Sequence, residues 1–177
     1  PSLVGSEMCI RDRTKTMVRQ AIDALNAISA SLERLKAEMQ ALAAQLPEYP
    51  VVMTMHGVGD SLGPQLMAEL GDVTRFTHRN AITAFAGVDP GADQSGTHEA
   101  KSTRVSKSGP PELRRALFLV MDCLLKTMPE DDPVYRFMDK KRAEGKPYLV
   151  YMTAGANKFL RIYYASVKAY LDSLEHD

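Results

Sequence analysis

The chain has 177 residues, 45% hydrophobic and 25% charged, the balance of one globular domain or a domain with an appendage. Twenty-two Lys/Arg against 22 Asp/Glu give a formal net charge of zero, so any nucleic-acid surface must come from local segregation of charge. Two cysteines (Cys9, Cys123) make no disulfide framework, the four histidines lack ligand spacing, and no apolar run is long enough to span a membrane.

Residues 1–13 join no pattern. They read as a non-native or artefactual leader, such as translated adaptor sequence, and are set aside. Their apolar core is too short for a signal peptide. From Thr14 onward the pattern sharpens. Val18, Leu25, Leu32, Met39 and Leu46 recur every seven residues, with Ala21, Ile28, Leu35 and Leu42 between them. This seam predicts a coiled-coil helix over residues 14–47, roughly 50 Å long at ~1.5 Å per residue, which pairs with a second copy. The other reading is an amphipathic helix lying on its own domain. Pro47 and Pro50 are expected to end it.

Residues 48–177 read as a compact helical domain. Gly57-Val58-Gly59 opens a helix carrying Leu62, Leu66, Met67 and Leu70, with Gly71 just past its end. The turn resembles the second half of a helix-hairpin-helix motif, in which backbone N–H groups near Gly57 and Gly59 would face a phosphate. Many tight turns share this pattern, and Asp60 would serve equally as a helix cap. Val73 to Phe76 is a connector. Thr77 is the expected N-cap of a short helix over His78–Phe85 that runs into Gly87.

Val88 to Ser106 reads as a loop with hairpin character, Thr103-Arg104-Val105 suiting a strand. Within it Ser95 stands between Gln94 and Gly96. Lys101, Arg104, Lys107, Arg114 and Arg115 follow, opposed over that stretch only by Glu112. A hydroxyl beside a glycine, followed by clustered cations, has what a phosphate-handling site needs. The glycine admits a close backbone and the cations offset phosphate charge. A solvated loop between helices has the same composition.

Glu112–Thr127 is an apolar helix, with Cys123 read as a small core residue. Arg114 and Arg115 lie near its N-terminus, where cations oppose the dipole and an anion would relieve them. Asp132-Pro133 starts a mixed-charge helix to about Ala143. Gly145-Lys146-Pro147 separates it from a last helix, Tyr148–Leu174, whose tyrosines read as packing residues. The consecutive run Glu130-Asp131-Asp132 is poorly shaped for a metal ion. The expected fold class is mainly α: a long N-terminal coiled-coil helix, then a compact helical domain with a helix-hairpin-helix-like turn and an irregular loop or short hairpin around Ser95.

The ordered motifs resemble a known family. They are His56-Gly57-Val58-Gly59, Ala68 to Asp72, Arg75-Phe76, Ala84 to Pro90, Gln94-Ser95-Gly96, Lys107-Ser108-Gly109, Leu113 to Leu117, and Ala156 to Arg161. Each alone is common; in this order they resemble the C-terminal domain of one-ten-type insertion-sequence transposases. These are the DEDD/serine enzymes related to Piv-type DNA invertases, and they include bridge-RNA-guided recombinases. The resemblance implies DNA as partner and Ser95 as the nucleophile of a composite site. It also implies Mg²⁺ held by a RuvC-like acidic domain that this sequence lacks, so no cofactor is expected on this chain and the fragment alone is expected to be inactive. Some family members use a structured guide RNA. Placement by charge gives DNA contacts to Gly57, Gly59, Lys101, Arg104, Lys107, Arg114 and Arg115. Lys158 and Arg161 match the last motif, with a structural role equally open. A homo-oligomer through residues 14–47 and a cytoplasmic, nucleoid-associated location in a prokaryote are expected. The competing readings are a non-catalytic DNA-binding and dimerisation module, and a helical interaction module in which the heptads do everything.

Overall fold

The computed structural model describes residues 3–89, 94–95, 98–99 and 105–176, with side chains for 11–89 and 105–176. The chain divides into two compact units, Pro1–Met39 and Gln40–Asp177. The architecture is mainly α, as the sequence predicts.

Helix α1 spans Leu3–Ala43, so it takes in most of the segment set aside as a leader. In the first unit the heptad side chains are exposed, Leu25 at 63% and Ile28 at 67%. The helix stops one turn before Pro47. Gln45 and Leu46 donate instead to carbonyls three residues back, tightening the chain ahead of the proline. Glu48 and Pro50 then start a short helix that the sequence had not suggested, α2 (Tyr49–Met53).

The second unit is built around its last helix. Helix α3 is Leu62–Leu70, α4 is Arg79–Ala86, α5 is Pro111–Thr127, α6 is Pro133–Ala143 and α7 is Tyr148–Leu174. Helix α7 packs against α2, α4, α5 and α6, and α3 lies on α5. The apolar stripes of these helices meet in one core of Leu66, Leu70, Ile82, Leu117, Met121, Met138, Leu160 and Tyr163, all fully buried. Burial of these side chains contributes about 1.5–3 kcal/mol each before entropy is counted.

Two expected caps lie one residue off. Ser61, not Asp60, precedes α3 and makes no side-chain cap bond; the carbonyl of Gly59 instead accepts the Gly63 N–H at 2.8 Å. His78, not Thr77, caps α4. Its extended backbone turns Nδ1 toward the Asn80 N–H at 3.2 Å, so a ring nitrogen does what a hydroxyl was expected to do. Asp132 caps α6 as read, accepting from Val134 and Tyr135 at 2.8 and 2.6 Å. Cys123 is half-buried on α5 rather than in the core, because its neighbours Val120, Met121 and Leu124 take the inward face.

Arg75 ties α3 to α4. It sits in a 3₁₀ turn (Val73–Arg75), donates to the Leu70 carbonyl at 2.9 Å, and lies over the Phe76 and Phe85 rings at 4.5 and 4.4 Å. Stacked between two rings, a planar guanidinium does what a lysine could not. Tyr164 Oη adds a bond from α7 to the Phe76 carbonyl at 3.1 Å.

Candidate functional site

The Ser95 segment begins after α4 and ends before α5. The two points are held together. Gly87 ends α4 in the left-handed conformation, and its carbonyl accepts the Lys107 N–H at 3.2 Å. Asp89 accepts twice from Ser106, from its N–H at 3.3 Å and through its carboxylate from the hydroxyl at 3.0 Å. The Ser106 and Ser108 hydroxyls are 3.2 Å apart. Gly109 lies so close to the Phe85 carbonyl that any Cβ would collide with it. The stem of the segment is therefore a backbone clamp that needs glycine at Gly109.

Beyond the clamp, Gln94–Ser95 pairs antiparallel with His98–Glu99, Ser95 opposite His98. This is the short hairpin expected around Ser95. The side chains of Gln94 and Ser95, and the whole of Gly96, Lys101 and Arg104, lie outside the described residues.

The remaining predicted contact residues divide. Arg114 is half-buried and points inward. Its Nη1 donates to the Gly109 carbonyl at 2.5 Å and to the Ala86 carbonyl at 3.4 Å, so it bolts the two sides of the clamp to α5. Arg115 is exposed and has no partner among the described residues. Lys107 is exposed with φ of 53°, a left-handed conformation rare outside glycine that costs of the order of 1–3 kcal/mol. The clamp holds it there. Gly57 (φ 79°) is explained by packing: a Cβ would come within 2.9 Å of the Val120 carbonyl oxygen on α5. Gly59 has open space around it. Val120 follows Arg115 on α5 by five residues, so the Gly-Val-Gly turn lies roughly 7 Å along the helix at ~1.5 Å per residue.

The clamp also divides a concave surface. On its α5 side a cleft of about 260 Å³ is lined by Lys107, Arg114, Arg115 and Phe118. On the other side a groove of about 870 Å³ runs along α6 and α7, lined by Phe137, Leu149, Val150, Asn157, Lys158 and Arg161. Val88, Val105, Lys107 and Thr153 line both. Five cations and no carboxylate stand among the described lining residues. The sequence left Lys158 and Arg161 undecided; their spacing of three on one helix is what brings both to the groove.

Three acidic residues away from the cleft are engaged. Asp132 is spent on its cap, and Asp131 lies 3.8 Å from His56 Nε2. Asp72 accepts from the Thr74 N–H and hydroxyl, which holds its carboxyl below the usual range. No group of three or more His, Cys, Asp or Glu able to hold a metal ion occurs among the described residues. No helix among them is long and apolar enough to cross a membrane.

Residues 49–136, from α2 to the start of α6, match the family described as Transposase IS116/IS110/IS902. The matched stretch includes the whole clamp, Ser95 and α5. Over 152 residues the chain is 26% identical to an insertion element IS110 protein of 43.6 kDa from Streptomyces coelicolor, covering 86% of this chain. Over 118 residues it is 28% identical to the pilin gene-inverting proteins of Moraxella bovis and Moraxella lacunata, covering 67% of this chain. It spans 36% of the length of each of these relatives. With the clamp, the hairpin, Lys107, Arg114 and Arg115 inside the matched residues, the chain carries over residues 49–136 a domain of the IS116/IS110/IS902 transposase family.

Proposed function

We propose that the chain is the part of a DNA transposase or site-specific recombinase that binds DNA and supplies Ser95 as nucleophile. The observation that carries this reading is the clamped stem. It holds together the two ends of the Ser95 segment, and Lys107 at its foot and Arg115 line a cleft with no carboxylate among its described lining residues. The names of the relatives, an insertion-element protein and two gene-inverting proteins, support it.

In the proposed step Ser95 Oγ bonds to a phosphorus of the DNA backbone as that phosphorus releases one deoxyribose oxygen. The serine proton passes to a base outside the described residues, and the departing oxygen takes up a proton. A phosphoserine-linked strand would keep the bond energy for rejoining. Lys107 and Arg115 hold neighbouring phosphates, with Lys101 and Arg104 in the same role and Gly57 and Gly59 offering backbone N–H groups. Arg114 acts through the clamp. The described residues do not fit Mg²⁺; in this reading it is held by a RuvC-like acidic domain of the whole protein or of a second protomer. The α1 seam joins protomers into a homo-oligomer, and the protein works on the nucleoid in the cytoplasm. Whether a guide RNA takes part is a separate question for the same assay.

The test is a trapping assay with the whole transposase that contains this chain, incubated with donor and target DNA and Mg²⁺. Mass spectrometry should place a covalent adduct on Ser95, and Ser95→Ala should lose adduct and strand transfer while still binding DNA. Recombinant product from Ser95→Ala would sink the assignment and leave a DNA-positioning module.

A further inference from the structure

The α6–α7 groove is unlike the cleft on the other side of the clamp. A cleft for duplex phosphates needs charge alone. This groove also has an apolar floor of Val88, Val105, Leu149 and Val150, with Leu149 at 65% and Val150 at 49% exposure. Phe137 is half-buried at its side, and Lys158 Nζ stands 4.8 Å from the centre of that ring. Arg161 is exposed and without a partner among the described residues. At about 870 Å³ the groove falls within the ~300–1,000 Å³ of sites that enclose organic ligands.

An apolar floor with cations along the rim asks for an occupant with flat apolar faces and regularly spaced negative charge. A closed duplex hides its base faces. An unpaired strand offers one face and one phosphate per nucleotide. We propose that the α6–α7 groove binds an unpaired DNA strand, with bases against Leu149, Val150 and Phe137 and phosphates on Lys107, Lys158 and Arg161. Charge favours this occupant: Lys107, Lys158 and Arg161 line the groove, with no carboxylate among its described lining residues. This rests on the DNA-directed reading of the surface, and not on Ser95 being the nucleophile.

The test measures binding of the full 177-residue chain to a labelled oligothymidylate, an oligouridylate of equal length, and a duplex. Leu149→Ser with Val150→Ser removes exposed apolar side chains without changing charge or the core. This pair should weaken oligothymidylate binding about ten-fold, within the 1–3 kcal/mol typical of a base contact, and leave duplex binding unchanged. Lys158→Gln with Arg161→Gln should weaken single-strand binding and flatten its salt dependence. A larger loss for the ribo strand than for the deoxy strand overturns the assignment to DNA. Equal binding by wild type and the serine pair overturns the proposal. So does competition by polyglutamate as effective as by oligothymidylate, which would make the groove a site for acidic peptides. Adduct formation on Ser95 is read in a separate assay, so either proposal can fail alone.

Discussion

Arg114 and Arg115 are adjacent, equally basic and opposite in their surroundings. One fastens the Gly109 and Ala86 carbonyls to α5; the other stands free at the cleft. Arg114→Ala should therefore destabilise the fold by about 1–3 kcal/mol, since it strands partly buried carbonyls, and a lower Tm in thermal melting would register it. Arg115→Ala should leave Tm unchanged and weaken duplex binding, with the salt slope smaller by about one. The reverse pattern would exchange the two roles. Nothing in the sequence separates these arginines. Their difference depends on which carbonyls the clamp leaves without partners, and that is known only once residues 17 to 28 positions apart have met. Arg75 was opaque for the same reason: its two aromatic neighbours and its carbonyl come from three elements.

At the scale of elements the sequence was far more legible. Helices α3, α6 and α7 begin and end within a residue or so of where Gly71, Asp132-Pro133 and Pro147 place them, because prolines and glycines act locally. Helix α2 was missed since five residues carry no period. The α1 stripe was legible as a period, while its task was not. Leu25, Ile28, Leu32 and Leu35 stay exposed in the chain. Such a stripe is stable in water when a second helix covers it. Sedimentation should find the chain self-associated, and Leu25→Lys with Leu32→Lys should return it to a monomer with melting of the second unit unaltered. A monomeric wild type would contradict pairing through α1.

The whole second unit closes around Tyr163, a phenol buried in the core. Burial, and secondarily the Glu48 carboxylate, raise its pKa well above the ordinary tyrosine value. The neutral form is the one the fold accepts. Its contribution to stability is complete below the unfolded tyrosine pKa of about 10 and is lost as pH climbs from there toward the folded value. Tyr163→Phe should move alkaline unfolding, followed by circular dichroism, to higher pH; an unmoved midpoint would show that another group governs it.

The clamp has a consequence for how such a protein changes over generations. Loop closure costs little per added residue once the ends are held, only about 0.6 kcal/mol for each doubling of length. Asp89 with Ser106, Gly87 with Lys107, and Arg114 behind them hold those ends. The segment between those ends can then be rewritten or lengthened while the scaffold keeps its stability. Selection can vary that segment and leave the architecture alone.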